Sequence, residues 1–195
     1  MTMPYYHATE IAGYVLDFYK TTFNFGGKDI CSSISNLKLQ SVLYFLQANH
    51  LVETKEPLFS DDIEAMSFGI YIDSVWRKYA VYGSSNIIIG DEEKEAKLKI
   101  YKKDRILMDE MLRTLKTYSA VGLFQIIRRQ TPWSKAYHSK SYENQKKVIK
   151  PKELYDLFCR IGDEYVNFFQ FSGYQHNRLY LNKVVDLPGS DESGI

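Results

Sequence analysis

The segment "ISNLKLQSVLYFLQANHLVET", residues 34–54, constrains the fold more than any other stretch of this chain. Ser35 is placed to cap a helix, and Ile34 and Leu39 stand at the spacing of a hydrophobic staple across that cap. Leu39, Val42, Leu43 and Leu46 make one apolar face, which Leu37, Tyr44, Phe45 and Leu51 widen until most of the circumference is apolar. A helix apolar on most sides must be covered on most sides. The pattern therefore predicts a central helix with the rest of the domain wrapped around it, and 195 residues suffice for one domain with a sizeable core.

The remaining segments read as the wrapping. Thr9 is placed to cap a helix carrying Ile11, Tyr14, Val15 and Phe18 at helical spacing, stopped near "NFGGKD". Pro57 bars helical geometry at Glu56, so "KEPLFSDDIEAMSFG" is expected to form a loop and a short turn, with Ser60 or Asp61 capping a short helix. Ile72, Val75, Trp76, Tyr79 and Ala80 restore helical periodicity up to Gly83. Asp104 is the expected cap of a helix bearing Met108, Met111, Leu112 and Leu115, and Ser119 of one bearing Leu123, Ile126 and Ile127, the two pairing antiparallel. Thr131 and Pro132 read as cap and first residue of the next helix, and a last helix begins at Pro151 with Leu154, Leu157, Phe158, Ile161, Tyr165 and Phe168. The expected class is mainly α: a single-domain helical bundle over 1–187, with a short β-hairpin or strand allowed in the 84–103 and 176–187 regions and a disordered tail at 188–195.

Several chemistries are disfavoured by the residues themselves. Neither GxGxxG nor GxxxxGK[ST] occurs, so no nucleotide cofactor is expected. Ser35 and Lys38 satisfy S-x-x-K, but Ser35 already has a capping role. His7, His50, His138 and His176 include no i, i+4 pair, and His50, on the buried stripe, reads as a hydrogen-bonded core histidine rather than a metal ligand. Asp61, Asp62 and Glu64 lack the ligand number and glycine spacing of a calcium loop. No metal, no cofactor and no catalytic set is assigned, and the chain is expected not to be an enzyme.

Charge and cysteine usage point to a cytoplasmic protein. The net charge of +1 creates no global field for nucleic acid or membrane, and no apolar run approaches the roughly 18 residues that span a bilayer. Cys31 and Cys159, far apart and without a ligand pattern, read as reduced thiols. The exception to the even charge lies between 128 and 152. There Arg128, Arg129, Lys135, Lys140, Lys146, Lys147, Lys150 and Lys152 face only Glu143, with Trp133, Tyr137 and Tyr142 interleaved. A solvated face is the plain reading of this segment; an acidic protein surface and base-stacking on nucleic acid are the alternatives. Aromatic residues make up 15% of the chain, a content that suits protein contact surfaces and equally follows from AT-rich coding, which enriches Tyr, Phe, Asn, Ile and Lys together.

Three ordered motifs resemble the Panacea antitoxin-domain family of SocA-like, phage-associated proteins. Asn36, Lys38, Leu39, Gln40, Leu43, Tyr44 and Phe45 match its opening motif. Leu58, Phe59, Asp61, Ile63, Glu64, Ala65, Gly69, Val75, Tyr79 and Gly83 match the second, and Leu123, Thr131, Pro132, Trp133 and Ala136 the third. The likeness spans about residues 8–165. Met66 stands where the family commonly has Trp, Ile70 and Tyr71 replace its Pro-Val, and Arg128 takes the first place of a frequent Thr-His pair. The resemblance implies a helical, non-enzymatic protein of bacteria or their mobile elements that neutralises a cognate toxin by binding it. An inhibitor of a host defence protein, of anti-CRISPR type, and an adaptor delivering a toxin to a protease are the alternatives. Lys38, Gln40, Asp61 and Glu64 are polar residues beside large apolar stripes, a setting that favours a paired network locking the loop over direct partner contact. With Gly69, Tyr71, Trp76, Tyr79, Arg128, Arg129 and Trp133 they complete the set of candidate partner-binding or motif residues.

Overall fold

The computed structural model describes residues 6–23, 34–88, 90, 99–139 and 147–159. It is mainly helical. Helix α1 spans Ala8–Phe23 and α2 spans Asn36–Thr54, followed by a hairpin of β1 (Glu64–Met66) and β2 (Gly69–Tyr71). Then come α3 (Asp73–Lys78), a 3-10 turn (Ala80–Tyr82), α4 (Lys102–Leu115), α5 (Ala120–Arg128), α6 (Thr131–Tyr137) and α7, residues 151–159.

Helix α2 is the axis that its apolar circumference predicts, with fourteen of its 19 residues buried and with α1, α3, α4, α5 and β2 packed around it. Ser35, in extended geometry, caps it by accepting a hydrogen bond from the Lys38 N–H at 3.4 Å. At the other end Lys55 turns left-handed, φ 62°, and its N–H closes on the Leu51 carbonyl at 2.9 Å, so the chain leaves the helix two residues before Pro57. Helix α7 joins the same core through Phe158, whose ring stands edge-on to Tyr44 and Phe45 at 6.4 and 6.3 Å.

Several elements differ from their sequence-based expectation. The 57–71 stretch contains the hairpin, Glu64 opposite Tyr71 and Met66 opposite Gly69, in place of a loop and short helix. In 84–103 no strand forms among the described residues; Asn86 makes a single bridge to Ser35, and the 176–187 region and the 188–195 tail lie outside the described residues. Helix α1 begins one residue before Thr9, and α4 begins at Lys102, so Asp104 is not its cap but lies buried in its first turn. Gln130, not Thr131, precedes α6. Helices α4 and α5 pack chiefly on α2 instead of on each other, because α2 offers both a wider apolar wall.

Burial raises the phenol pKa of Tyr19, whose ionised form would lose its hydration in the core, and burial likewise heads the causes that raise Tyr6 and Tyr14. The unfolded chain ionises first. Stability from these groups is therefore complete below the ordinary tyrosine pKa of 10.0 and is lost as pH rises past it. Urea midpoints should hold up to about pH 9 and fall steeply by about pH 11, with the fall shallower in Tyr19→Phe. Equal slopes in the two proteins would remove the assignment.

Candidate functional site

One flank of α2 carries a row of buried amides that serves the chain between 56 and 76. Parts of that stretch run against the core, where buried N–H and C=O groups must be satisfied. Gln47 accepts from the N–H groups of Leu58 and Phe59 at 2.9 and 3.1 Å and donates to the Phe59 carbonyl at 3.1 Å. Gln40 accepts the Ile72 N–H at 2.8 Å and donates to Asn36, which in turn donates to the Trp76 carbonyl at 3.2 Å. One turn beyond Gln47, the His50 Nδ1–H donates to the Glu56 carbonyl at 2.8 Å, while Nε2 faces the Asp104 carboxylate at 3.3 Å. Asp104 also accepts the Tyr6 hydroxyl at 2.8 Å.

A second brace comes from Asp61. Its carboxylate accepts the Ala8 N–H at 2.8 Å, at the positive end of α1, and the Ser74 hydroxyl on α3. Glu10 completes that helix start by accepting the His7 N–H at 3.0 Å. Glu64 is buried in β1, and residues 147–149 run along the outer side of that strand: the Ala65 N–H donates to the Lys147 carbonyl and the Ile149 N–H to the Ile63 carbonyl, both at 2.8 Å. Gly69, at φ 140°, passes so close to α2 that a Cβ there would sit 3.3 Å from Leu37.

What this bracing holds outward is aromatic. Phe68 at the hairpin tip is 46% exposed, large for a phenylalanine, and packs on Trp76 of α3 at 5.4 Å and on Tyr71 at 6.4 Å. Tyr71 and Trp76 lie 5.8 Å apart, half-buried, and close the cluster. The Tyr71 hydroxyl donates to Asp73 at 2.6 Å, the main cause of its raised pKa, and Arg77 pairs with the same carboxylate at 2.8 Å.

The structure thus divides the sequence candidates. Gln40 and Asp61 bond to the chain on either side of the hairpin, and Glu64 and Gly69 are buried within it. Lys38 donates to the Lys116 carbonyl at the end of α4, 3.2 Å, with its ammonium over the Tyr19 ring. Tyr79 is buried. Tyr71 and Trp76 belong to the surface cluster; Arg128 and Arg129 are exposed at the end of α5. Trp133 is a correction: it is buried and stacked on Tyr137 at 4.6 Å, so its ring is not available to a nucleobase. Lys147 donates to the Tyr137 carbonyl and Lys152 makes an exposed pair with Asp156, so two cations of the basic stretch have partners of their own; Lys140, Tyr142, Glu143 and Lys146 lie outside the described residues. Sequence reasoning missed Phe68, Gln47 and Asp104. Gln47 was detectable, since it lies seven residues after Gln40 on one helical face of an otherwise apolar segment.

The antitoxin SocA-like Panacea domain family model matches residues 39–134. The chain carries a domain of that family. The matched span runs from the fourth residue of α2 into α6 and contains Gln40 and Gln47 of the amide row, the hairpin and the aromatic cluster of this Panacea domain. No curated protein and no solved structure matches the chain. Among the described residues no helix is long and apolar enough to cross a membrane, and no group of three His, Cys, Asp or Glu could hold a metal ion.

Asp61→Ala should cost about 1–2 kcal/mol in urea denaturation, because it removes a helix cap and leaves the Ser74 hydroxyl without its acceptor. Asp61→Asn should lose less. A change under about 0.3 kcal/mol for Asp61→Ala would show that the carboxylate braces nothing.

Proposed function

We propose that this Panacea-domain protein is an antitoxin-like binding protein of a bacterial or prophage toxin–antitoxin pair. It neutralises its cognate toxin in the cytoplasm by direct protein contact, without turnover of a substrate. The observation that carries this reading is the Phe68–Tyr71–Trp76 cluster, an exposed aromatic surface on a rigidly braced hairpin inside the matched domain. Aromatic anchors of this kind supply large apolar area at low entropic cost and recur as the energetic centres of protein interfaces. The bracing matters as much as the rings. A hairpin held by buried amides loses little freedom on docking, so more of the contact energy appears as affinity.

Tyr71 falls where the sequence departs from the family pattern, next to Ile70, and this supports a partner that differs from those of its relatives. A host defence protein bound through the same cluster is therefore the second reading.

Expression of the adjacent open reading frame alone should arrest growth, and coexpression with this chain should restore it and yield a copurifying complex. Phe68→Ser, at an exposed position, should weaken that complex about 30-fold or more while leaving the urea midpoint nearly unchanged. Unimpaired growth with the neighbour alone, or full affinity in Phe68→Ser, would contradict the proposal.

A further inference from the structure

We propose that the aromatic cluster is one half of a larger docking face, completed by the outer row of α5, and that the toxin segment it receives is apolar with carboxylates along one border, anchored by Arg128. This partner chemistry rests on the toxin-binding reading above. Val121, Phe124 and Arg128 follow the i, i+3, i+7 row of α5. Leu123, Ile126 and Ile127 take the other side of the helix into the core, which leaves Val121 57% exposed, Phe124 half-buried and Arg128 exposed. The row meets the hairpin at Gly69. A Cβ there would lie 3.6 Å from the Phe124 ring, and Gly69 and Tyr71, two apart on β2, share one face of the strand. Tyr71 continues into Phe68 and Trp76, so apolar side chains run from α3 across the hairpin to α5. Buried Trp133 stands edge-on to Phe124 at 6.1 Å and holds that ring in place.

Charge selects the occupant. Residues 111–142 contain no Asp or Glu, so neither α5 nor α6 carries an acid to neutralise Arg128, and among the described residues its guanidinium has no ion pair. At the far end of the face Asp73 is already engaged by the Tyr71 hydroxyl and by Arg77. The unbalanced charge is therefore positive and lies at the α5 end, where a partner carboxylate gains and a partner cation loses. Nucleic acid fits only half of the face. The three rings lie at 41–86° to one another and Asp73 sets a carboxylate beside them, which suits neither stacked bases nor their phosphates. A cation in a last turn also answers the helix dipole, but Arg129 at the cap does so as well. Arg129 stands about 100° further round the helix, off the row, so the two arginines separate a contact from a general field.

The test uses the full chain and its complex with the product of the adjacent gene. Arg128→Glu should weaken that complex at least about tenfold, and Arg129→Glu, with the same change in net charge, by less than about threefold. Val121→Glu should weaken it more than Val121→Lys, the order that a carboxylate-bearing partner imposes. All four positions are exposed, and urea midpoints near the wild-type value confirm that the variants fold. Equal losses in the two arginine variants, or the reverse order at Val121, would overturn the proposal while neutralisation itself, read as growth rescue, stands. A neighbouring product that forms no complex with the wild type would overturn both. Binding of a fluorescent single-stranded RNA at physiological salt, lost in Arg128→Glu, would assign the face to nucleic acid and overturn the protein partner.

Discussion

Buried amide side chains on α2 satisfy the backbone of a segment that could not otherwise lie against the core. Gln40, Gln47 and Asn36 reach the chain at Ile72, at Leu58 and Phe59, and at Trp76, with geometry at or near ordinary hydrogen-bond lengths. Each such bond contributes a net 0.5–1.5 kcal/mol, roughly, but leaving a buried backbone group without its acceptor costs more, about 1–3 kcal/mol. The asymmetry is what fixes position. An apolar contact tolerates a sliding hairpin, whereas an amide that has only one correct partner does not.

The rest of the architecture follows from this constraint. Once the 56–76 stretch is held to α2, Asp61 comes within reach of the start of α1 and of Ser74, so one carboxylate joins α1, the strap and α3. Gly69 can then approach Leu37 closely, in a positive-φ conformation that a residue with a side chain would adopt only under strain. The hairpin tip projects from this frame, and the only large apolar ring at that tip, Phe68, is left on the surface beside Trp76. The frame is costly in buried polar groups and spends them on a surface feature, an economy that suits binding better than it suits stability alone.

Much of the fold was legible in the sequence because its signals are local. The cap at Ser35, the apolar circumference of α2, the stop before Pro57, the cap at Ser119 and the start of the last helix near Pro151 all depend on residues within a turn or two of one another. The hairpin was not legible: Glu64–Met66 and Gly69–Tyr71 are three residues each, too short for alternation to register, and residues 147–149 that brace β1 come from some eighty positions away. Asp104 misled for a related reason. An aspartate near a helix start is ordinarily a cap, and nothing local to it reveals that Tyr6 and His50 will surround it in the core. Of the site, the inward set around Gln40 and Asp61 was readable as polar residues embedded in apolar stripes, whereas the burial of Trp133 was not, because its sequence neighbours are basic and conceal a buried ring.

The central claim is that α2's amides, and not the strap's own contacts, hold the presented surface in place. Native-state hydrogen exchange at the Leu58, Phe59 and Ile72 amides tests it directly, comparing the wild type with Gln40→Met and Gln47→Met, which keep volume but remove the acceptor. The account predicts strong protection of all three amides in the wild type, loss at Ile72 alone in the first variant, and loss at Leu58 and Phe59 in the second. Rapid exchange at these amides in the wild type, or protection that survives both substitutions, would contradict it.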